Sequence, residues 1–241
     1  MPENKEEIPL PKLLEAVLSY QTSVYVTVLN IIQCIALAFL INEARDTIMK
    51  EEASFKWLLR STAALAVILV VWERYVSELQ YLWLVSWFDT LIPFFIGIIE
   101  CWIVFSTNAK AVSLNWFILS IAFLQAWVAL GYWYAYRRRR MKITEELYQA
   151  FYSDYHRFVF RLTNFLKDYD WWHVKVFVVA STISFAICVF VILFPFNFNE
   201  IVFPAFYLFE LVRGEFMNNF HKALHKDKSV GLYFKREEKK S

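Results

Sequence analysis

Residues 112–140 read VSLNWFILSIAFLQAWVALGYWYAYRRRR. From Val112 to Tyr136 no residue is charged. The run ends in Tyr132, Trp133, Tyr134 and Tyr136, and Arg137, Arg138, Arg139 and Arg140 follow at once. Crossing the hydrocarbon of a bilayer takes about 20 mostly apolar residues. Tyr and Trp settle at the membrane–water interface, and Lys and Arg are retained on the cytoplasmic side. This one stretch therefore predicts a span, its interfacial belt and a cytoplasmic stop. Its four arginines are expected to anchor to anionic lipid headgroups. They are consecutive and lie at the end of the run, unlike voltage-sensing arginines spaced through a span.

Four similar runs flank it. Val24 to Ile41 holds Asn30 and Gln33. Trp57 to Trp72 carries Arg60 near one end and Glu73 and Arg74 at the other. Leu82 to Phe105 is interrupted by Asp89, Pro93 and Glu100, and Val176 to Phe196 has no charge. A shorter sixth run, Ile201 to Val212, holds Pro204 and Glu210. Backbone groups in lipid must bond within their own segment, so continuous runs of this length predict helices. A barrel would show alternating segments of about ten residues separated by turns. The expected fold class is an all-α, polytopic membrane protein with five to six membrane segments and a cytoplasmic amphipathic helix.

Composition agrees. The chain has 241 residues, of which 59% are hydrophobic and 20% aromatic, against about 45–50% apolar in a soluble domain. Its 4 glycines leave no Gly-rich phosphate loop and no dinucleotide fingerprint. A net charge of +2 gives no ground for nucleic acid as a partner. Cys34, Cys101 and Cys188 each sit in a different apolar run and read as small buried hydrophobes. The acidic start, Met1 to Glu7, lacks a cleavable-signal pattern, so the first span is expected to serve as its own signal.

Orientation follows from the flanks. With a cytoplasmic N-terminus and four crossings, Lys5, Lys12, Arg74, Arg137 to Arg140, Lys142, Arg157, Arg161 and Lys167 lie inside. Arg45, Lys50, Lys56, Arg60 and Lys110 lie outside. The basic tail from Lys222 to Lys240 also reads as cytoplasmic. One lone crossing by the fifth run would strand it outside. A helical hairpin turning at Pro195 to Asn199 is therefore favoured over a re-entrant segment. Between the fourth and fifth runs, Leu147, Phe151, Tyr155, Phe158, Leu162, Phe165 and Tyr169 recur at helical spacing opposite a charged face. That is the amphipathic helix.

The organisation expected is an interfacial N-terminal helix over 1–22 and a four-span bundle over 23–136. An amphipathic helix over 137–172, a hairpin or re-entrant segment over 173–213 and a basic tail over 214–241 complete it. The location is a plasma or bacterial inner membrane, multi-pass, with both termini cytoplasmic.

Ionisable groups inside a span cost about 2.5–3.5 kcal/mol at the helix centre, so those that persist face a bundle interior or water. Asp89 and Glu100 are eleven residues apart, which puts both carboxylates on one helical face, about 16 Å apart along the axis. They are the first candidates for lining a cation path. Asn30 and Gln33, one turn apart, are the second, and hydrogen bonding between helices is the alternative role. Glu73 and Arg74 are candidates for an ion pair or a gate, with Asp89 or an acid of the amphipathic helix as the partner of Arg74. Asp89 and Glu100 have their own bland reading, as interfacial acids paired with arginine or backbone.

His221 and His225 are one turn apart, but Lys222 stands where the zinc protease motif needs Glu, and no third ligand is evident. No metal and no cofactor are expected. With no nucleophile elbow and no local Cys–His motif, the chain does not read as an enzyme. It carries neither a potassium-channel selectivity filter nor an Arg-Phe-Ser-Asp pattern in its first span.

The leading expectation is an oligomeric, cation-leaning membrane channel, because one protomer has little room for a wide path. The second is a non-conducting sensor or scaffold that recruits a cytoplasmic protein through residues 141–170 and the basic tail. A lipid-facing enzyme or small-solute transporter stands third.

Overall fold

The structure is a computed structural model that describes residues 10–79, 87–137, 142, 145–146, 149, 156–194 and 199–226. Side chains are described mainly over 26–75, 91–134, 175–194 and 199–216. The described residues form six long helices and no strand: α1 (Leu10–Met49), α2 (Phe55–Leu79), α3 (Trp87–Phe105), α4 (Leu114–Arg137), α5 (His156–Leu193) and α6 (Asn199–Lys226). Four of them hold stretches long and apolar enough to cross a membrane, Val26–Met49, Phe55–Tyr75, Leu114–Tyr134 and Lys175–Leu193. The third run yields a shorter apolar stretch, Leu91–Phe105. The sixth lies within α6, whose mean hydropathy is lowered by its charged flanks.

Several helices outrun the apolar segments that predict them. The helix α1 has 40 residues, so from Leu10 on the N-terminal helix expected over 1–22 and the first span are one rod. Pro11 falls in its first turn, where a missing N–H costs no helical bond. The helix ends in a Schellman turn. Glu51 N donates to Ile48 O, Glu52 N donates to Thr47 O, and Glu51 takes φ = 54°. The helix α5 has 38 residues and passes without a break through residue 173. The second half of the amphipathic stretch is thus continuous with the fifth apolar run.

The chain runs up and down. The connections at 50–54 and 106–113 and the start of α6 gather at one end, where Lys110 reaches Glu52 at 3.9 Å. The helices α2, α3 and α4 carry most of the core. The helix α1 packs on α2 and α3, α6 lies along α2, and α5 lies along α4. Consecutive α5 and α6 hardly meet. Many large apolar side chains face outward, among them Phe39, Ile98, Phe105, Phe190 and Phe209, each more than half exposed. Exposed apolar surface on this scale marks contact with lipid or protein.

Close approach between helices depends on small residues. Ala36, Ala63, Ala64 and Ala122 are buried. Gly97 is the extreme case, because a Cβ there would overlap Cγ2 of Ile32 on α1. Small residues are how helices come together where no hydrophobic effect drives them. A Gly-to-Ala change ordinarily gains about 1 kcal/mol of helix propensity. Overpacking against a branched side chain costs about 1–3 kcal/mol, and here it should win. We expect Gly97→Ala to lower the unfolding temperature of the purified protein in detergent. Paired with Ile32→Ala, the loss should be smaller than the sum of the two single losses. Strict additivity would mean that α1 and α3 do not meet at Gly97.

Candidate functional site

Three polar constellations stand in the apolar interior. The first is centred on Arg60, one helical turn into the apolar part of α2. Its side chain is wholly buried. Nη1 donates to Ser106 O at 3.3 Å and Val112 O at 2.9 Å, and Nη2 donates to Glu200 Oε2 at 3.1 Å. Ser106 follows the last residue of α3, where helix carbonyls lack intrahelical partners and the helix dipole is negative. Glu200 opens α6, where a carboxylate is favoured by the opposite end of a dipole. One guanidinium thus joins α2, the α3–α4 connection and α6. The connection satisfies much of its own polarity, with Asn108 Oδ1 accepting from the backbone N–H groups of Lys110 and Ala111.

Arg60 enters the sequence reading only as a flanking cation on the outer side. Its position inside the run from Trp57 was the available signal. Its acidic partner lies 140 residues away, beyond any local pattern.

The second constellation joins α1 to its neighbours. Gln33 Nε2 donates to Glu100 at 3.0 and 3.3 Å, and both residues are buried. Asn30 Oδ1 accepts from Trp72 Nε1 at 3.0 Å. Three residues advance a helix by 300°, so these two amides diverge enough to meet different helices, α3 and α2. Asp89 falls in the first turn of α3, and its side chain lies outside the described residues. Among the described residues no cation reaches Glu100.

The third constellation lines a slot. A cavity of about 840 Å³ lies between α2, α4, α5 and α6, with Ile92 and Ile96 of α3 also in its lining. One end is apolar, with Val67, Ile187 and Phe203. Gln125 Nε2 donates to Tyr207 Oη at 2.8 Å within it and ties α4 to α6. At the other end stand Arg74, Lys175, Arg213, Glu210 and Glu215. Exposed Val179, Ile183 and Phe206 contribute to the lining, so the slot communicates with the outside. Asn30, Gln33 and Glu100 do not line it.

Arg74 sits at the charged end. Nη2 donates to Glu215 Oε1 at 2.6 Å, Nε lies 4.0 Å from Glu73, and the guanidinium carbon is 4.3 Å from the centre of the Phe177 ring. The side chain is nearly buried, at 11% exposure. Sequence reading expected Glu73 and Arg74 as an ion pair or a gate. In the structure Arg74 lies beside Glu73 and also pairs with Glu215 on the sixth helix, while Asp89, the other acid named for it, has its side chain outside the described residues.

The two arginine pairs have matching spacing. Arg60 and Arg74 are separated by about 21 Å of α2, and Glu200 and Glu215 by about 22 Å of α6, at 1.5 Å per residue. They set α2 and α6 parallel and in register.

Arg137 ends α4, but its side chain and Arg138, Arg139 and Arg140 lie outside the described residues. So do most of the predicted amphipathic stripe from Leu147 to Tyr169, the tail over 227–241 and the side chains of His221 and His225. Among the described residues no three His, Cys, Asp or Glu side chains gather as a metal site would require. Compared with known families, with curated proteins and with solved structures, the chain matches none.

Removing one partner of a buried ion pair costs about 3–5 kcal/mol. Glu200 is about one-third exposed, so its own loss is softened by solvent. Arg60→Leu also strips two backbone carbonyls of their donor. We expect Arg60→Leu to destabilise the protein by about 3 kcal/mol or more, and Glu200→Gln by about 1 kcal/mol, in denaturant titrations followed by tryptophan fluorescence. Equal costs would remove Arg60 from its role as the joint between three segments.

Proposed function

We propose that this chain is a multi-pass membrane protein with both termini cytoplasmic, and that it binds a membrane amphiphile in the slot between α2, α4, α5 and α6. The observation that carries this reading is the slot itself. It is apolar along most of its length, charged at one end and bordered by two helices that hardly meet. Its volume of about 840 Å³ falls within the range of about 300–1,000 Å³ usual for small-molecule sites. A ligand dissolved in the bilayer reaches it sideways, without crossing water. In this arrangement all six helices cross, α5 and α6 form a hairpin, and the charged end of the slot faces the cytoplasm with the more basic flanks.

Gly131 offers a clean test. It lines the slot, and a Cβ added there meets nothing within 4 Å. Gly131→Phe fills the space and improves helix propensity at once. Native mass spectrometry of the purified protein should show a bound amphiphile on the wild type. On Gly131→Phe its occupancy should fall at least tenfold, with unchanged or higher thermal stability. Undiminished occupancy would remove the slot from the function.

A second reading keeps the oligomeric, cation-leaning channel, and one observation favours it. Glu100 is a buried carboxyl group bonded to Gln33, with no cation beside it among the described residues. A path would then run along α3 between protomers. Cation flux into reconstituted liposomes should change selectivity in Glu100→Gln and Asp89→Asn while the oligomer persists. Identical flux from wild type and both variants would end this reading.

A further inference from the structure

We propose that the occupant of the slot is an uncharged ester lipid, in its simplest form a diacylglycerol, and that the O–H of Tyr207 donates to one of its carbonyl oxygens. The inference rests on the slot reading and goes on to name the chemistry of the ligand.

Charge is the first argument. The lining holds Arg74, Lys175, Arg213, Glu210 and Glu215 at one end. Arg74 donates to Glu215 at 2.6 Å and also lies 4.0 Å from Glu73. Arg213 pairs with Glu210, three residues before it. Lys175 has a partner of its own. With Glu73 counted beside Arg74, three cations stand with three carboxylates. Among the described residues no charged side chain of the lining is idle. A lipid that brought a charged head into the slot would have to break one of these pairs to find a counter-ion. An uncharged lipid leaves all of them in place.

Hydrogen-bonding capacity specifies what the occupant carries. Tyr207 lines the slot and is buried, at 4% exposure. Its Oη accepts from Gln125 Nε2 at 2.8 Å. A phenol also has one O–H to give, and among the described residues that O–H meets no acceptor. Nη1 of Arg74, at the charged end, is a second buried donor with no hydrogen bond. Buried polar groups are seldom left so. The slot therefore asks for oxygen acceptors without asking for charge. An ester carbonyl supplies that, because it accepts, does not donate and is neutral.

Depth supplies the third argument. At 1.5 Å per residue, Tyr207 is about 10 Å from Gly214 along α6, and Ser181, also buried in the lining, is about 9 Å from Lys175 along α5. The two hydroxyl groups thus stand at one depth, well below the ion pairs. The hydrocarbon core of a bilayer is about 30 Å thick, so this level lies about two-thirds of the way through one leaflet. A phospholipid is held higher by its charged head, which stays at the water boundary and keeps the ester carbonyls near it. A diacylglycerol has no such float, and its carbonyls can sink to Tyr207.

The experiment equilibrates the purified full chain in detergent with radiolabelled dioleoylglycerol and counts the bound label. The unlabelled competitors are dioleoylglycerol, its dioleyl ether analogue, which has no carbonyl, and phosphatidylcholine and phosphatidylglycerol with the same acyl chains. Wild type should bind one dioleoylglycerol per protomer. Displacing it should take about tenfold more of the ether or of either phospholipid than of the ester, the worth of about one buried hydrogen bond. Tyr207→Phe should bring ester and ether level. Gln125→Leu cuts the tie between α4 and α6 but keeps the phenol, and should preserve the advantage of the ester. Loss of that advantage in both variants would mean that Tyr207 acts through the packing of the two helices, and would overturn the proposal. Displacement by either phospholipid at the level of dioleoylglycerol would overturn the uncharged assignment. Equal potency of ester and ether on wild type, or an advantage that survives Tyr207→Phe, would overturn it too. If Tyr207→Phe fails to fold, the competition on wild type decides alone. No binding of dioleoylglycerol, with a co-purified amphiphile that Gly131→Phe expels, would end the proposal and leave the slot standing. Label bound undiminished by Gly131→Phe would instead bring down the slot reading beneath it.

Discussion

The guanidinium of Arg60 is a permanent charge with no access to water, and one end of the molecule is arranged around it. A buried cation must find its acceptors within the fold. Ser106 O after α3, Val112 O before α4 and the carboxylate at the start of α6 accept from the two Nη groups. The short α3–α4 connection, the start of α6 and the first turns of α2 are thereby tied to one side chain. Farther along, Arg74 and Glu215 repeat the arrangement, and α6 is pinned to α2 at two points. The backbones of α5 and α6 come close at few points, and the slot lies between them.

Such ion pairs are poor sources of net stability, since desolvating both charges consumes most of what their attraction returns. Their contribution is register. An apolar helix against another apolar helix in lipid can slide or rotate by a turn at small cost, because every position offers similar contacts. Two charges about 21 Å apart on one helix, matched by two on the next, leave one alignment in which no charge is stranded. Gly97 does the same work by shape on α1 and α3, admitting Ile32 at one height only.

The helices were legible because long apolar runs with few turn residues read as little else. Among the described residues each apolar run falls within a helix. The helix ends were less legible. Apolar content marks where a chain can be buried, but α1 and α5 continue well past that, as long as backbone bonds and sound helix formers carry on. The site was legible only in pieces. Asn30, Gln33, Glu100 and Arg74 stood out as polar groups in apolar surroundings, and each has a polar partner in the structure. Which partner each would take depends on helix neighbours that no spacing encodes, as Glu200 and Glu215 show. The slot had no signature at all. It arises where the backbones of two consecutive helices rarely come close, and Val179, Ile183 and Phe206 look the same in sequence whether they face lipid, protein or a gap.

The helix α5 forms one wall of that slot with its residues 175–187, and the same unbroken helix starts at His156. About 28 Å of rod precede the slot, and about 18 Å line it. The segment before the slot and the wall of the slot are thus one continuous rod, held along α4 by the most extensive helix contact among the described residues. Whatever fixes the early part of that rod also fixes where the wall stands.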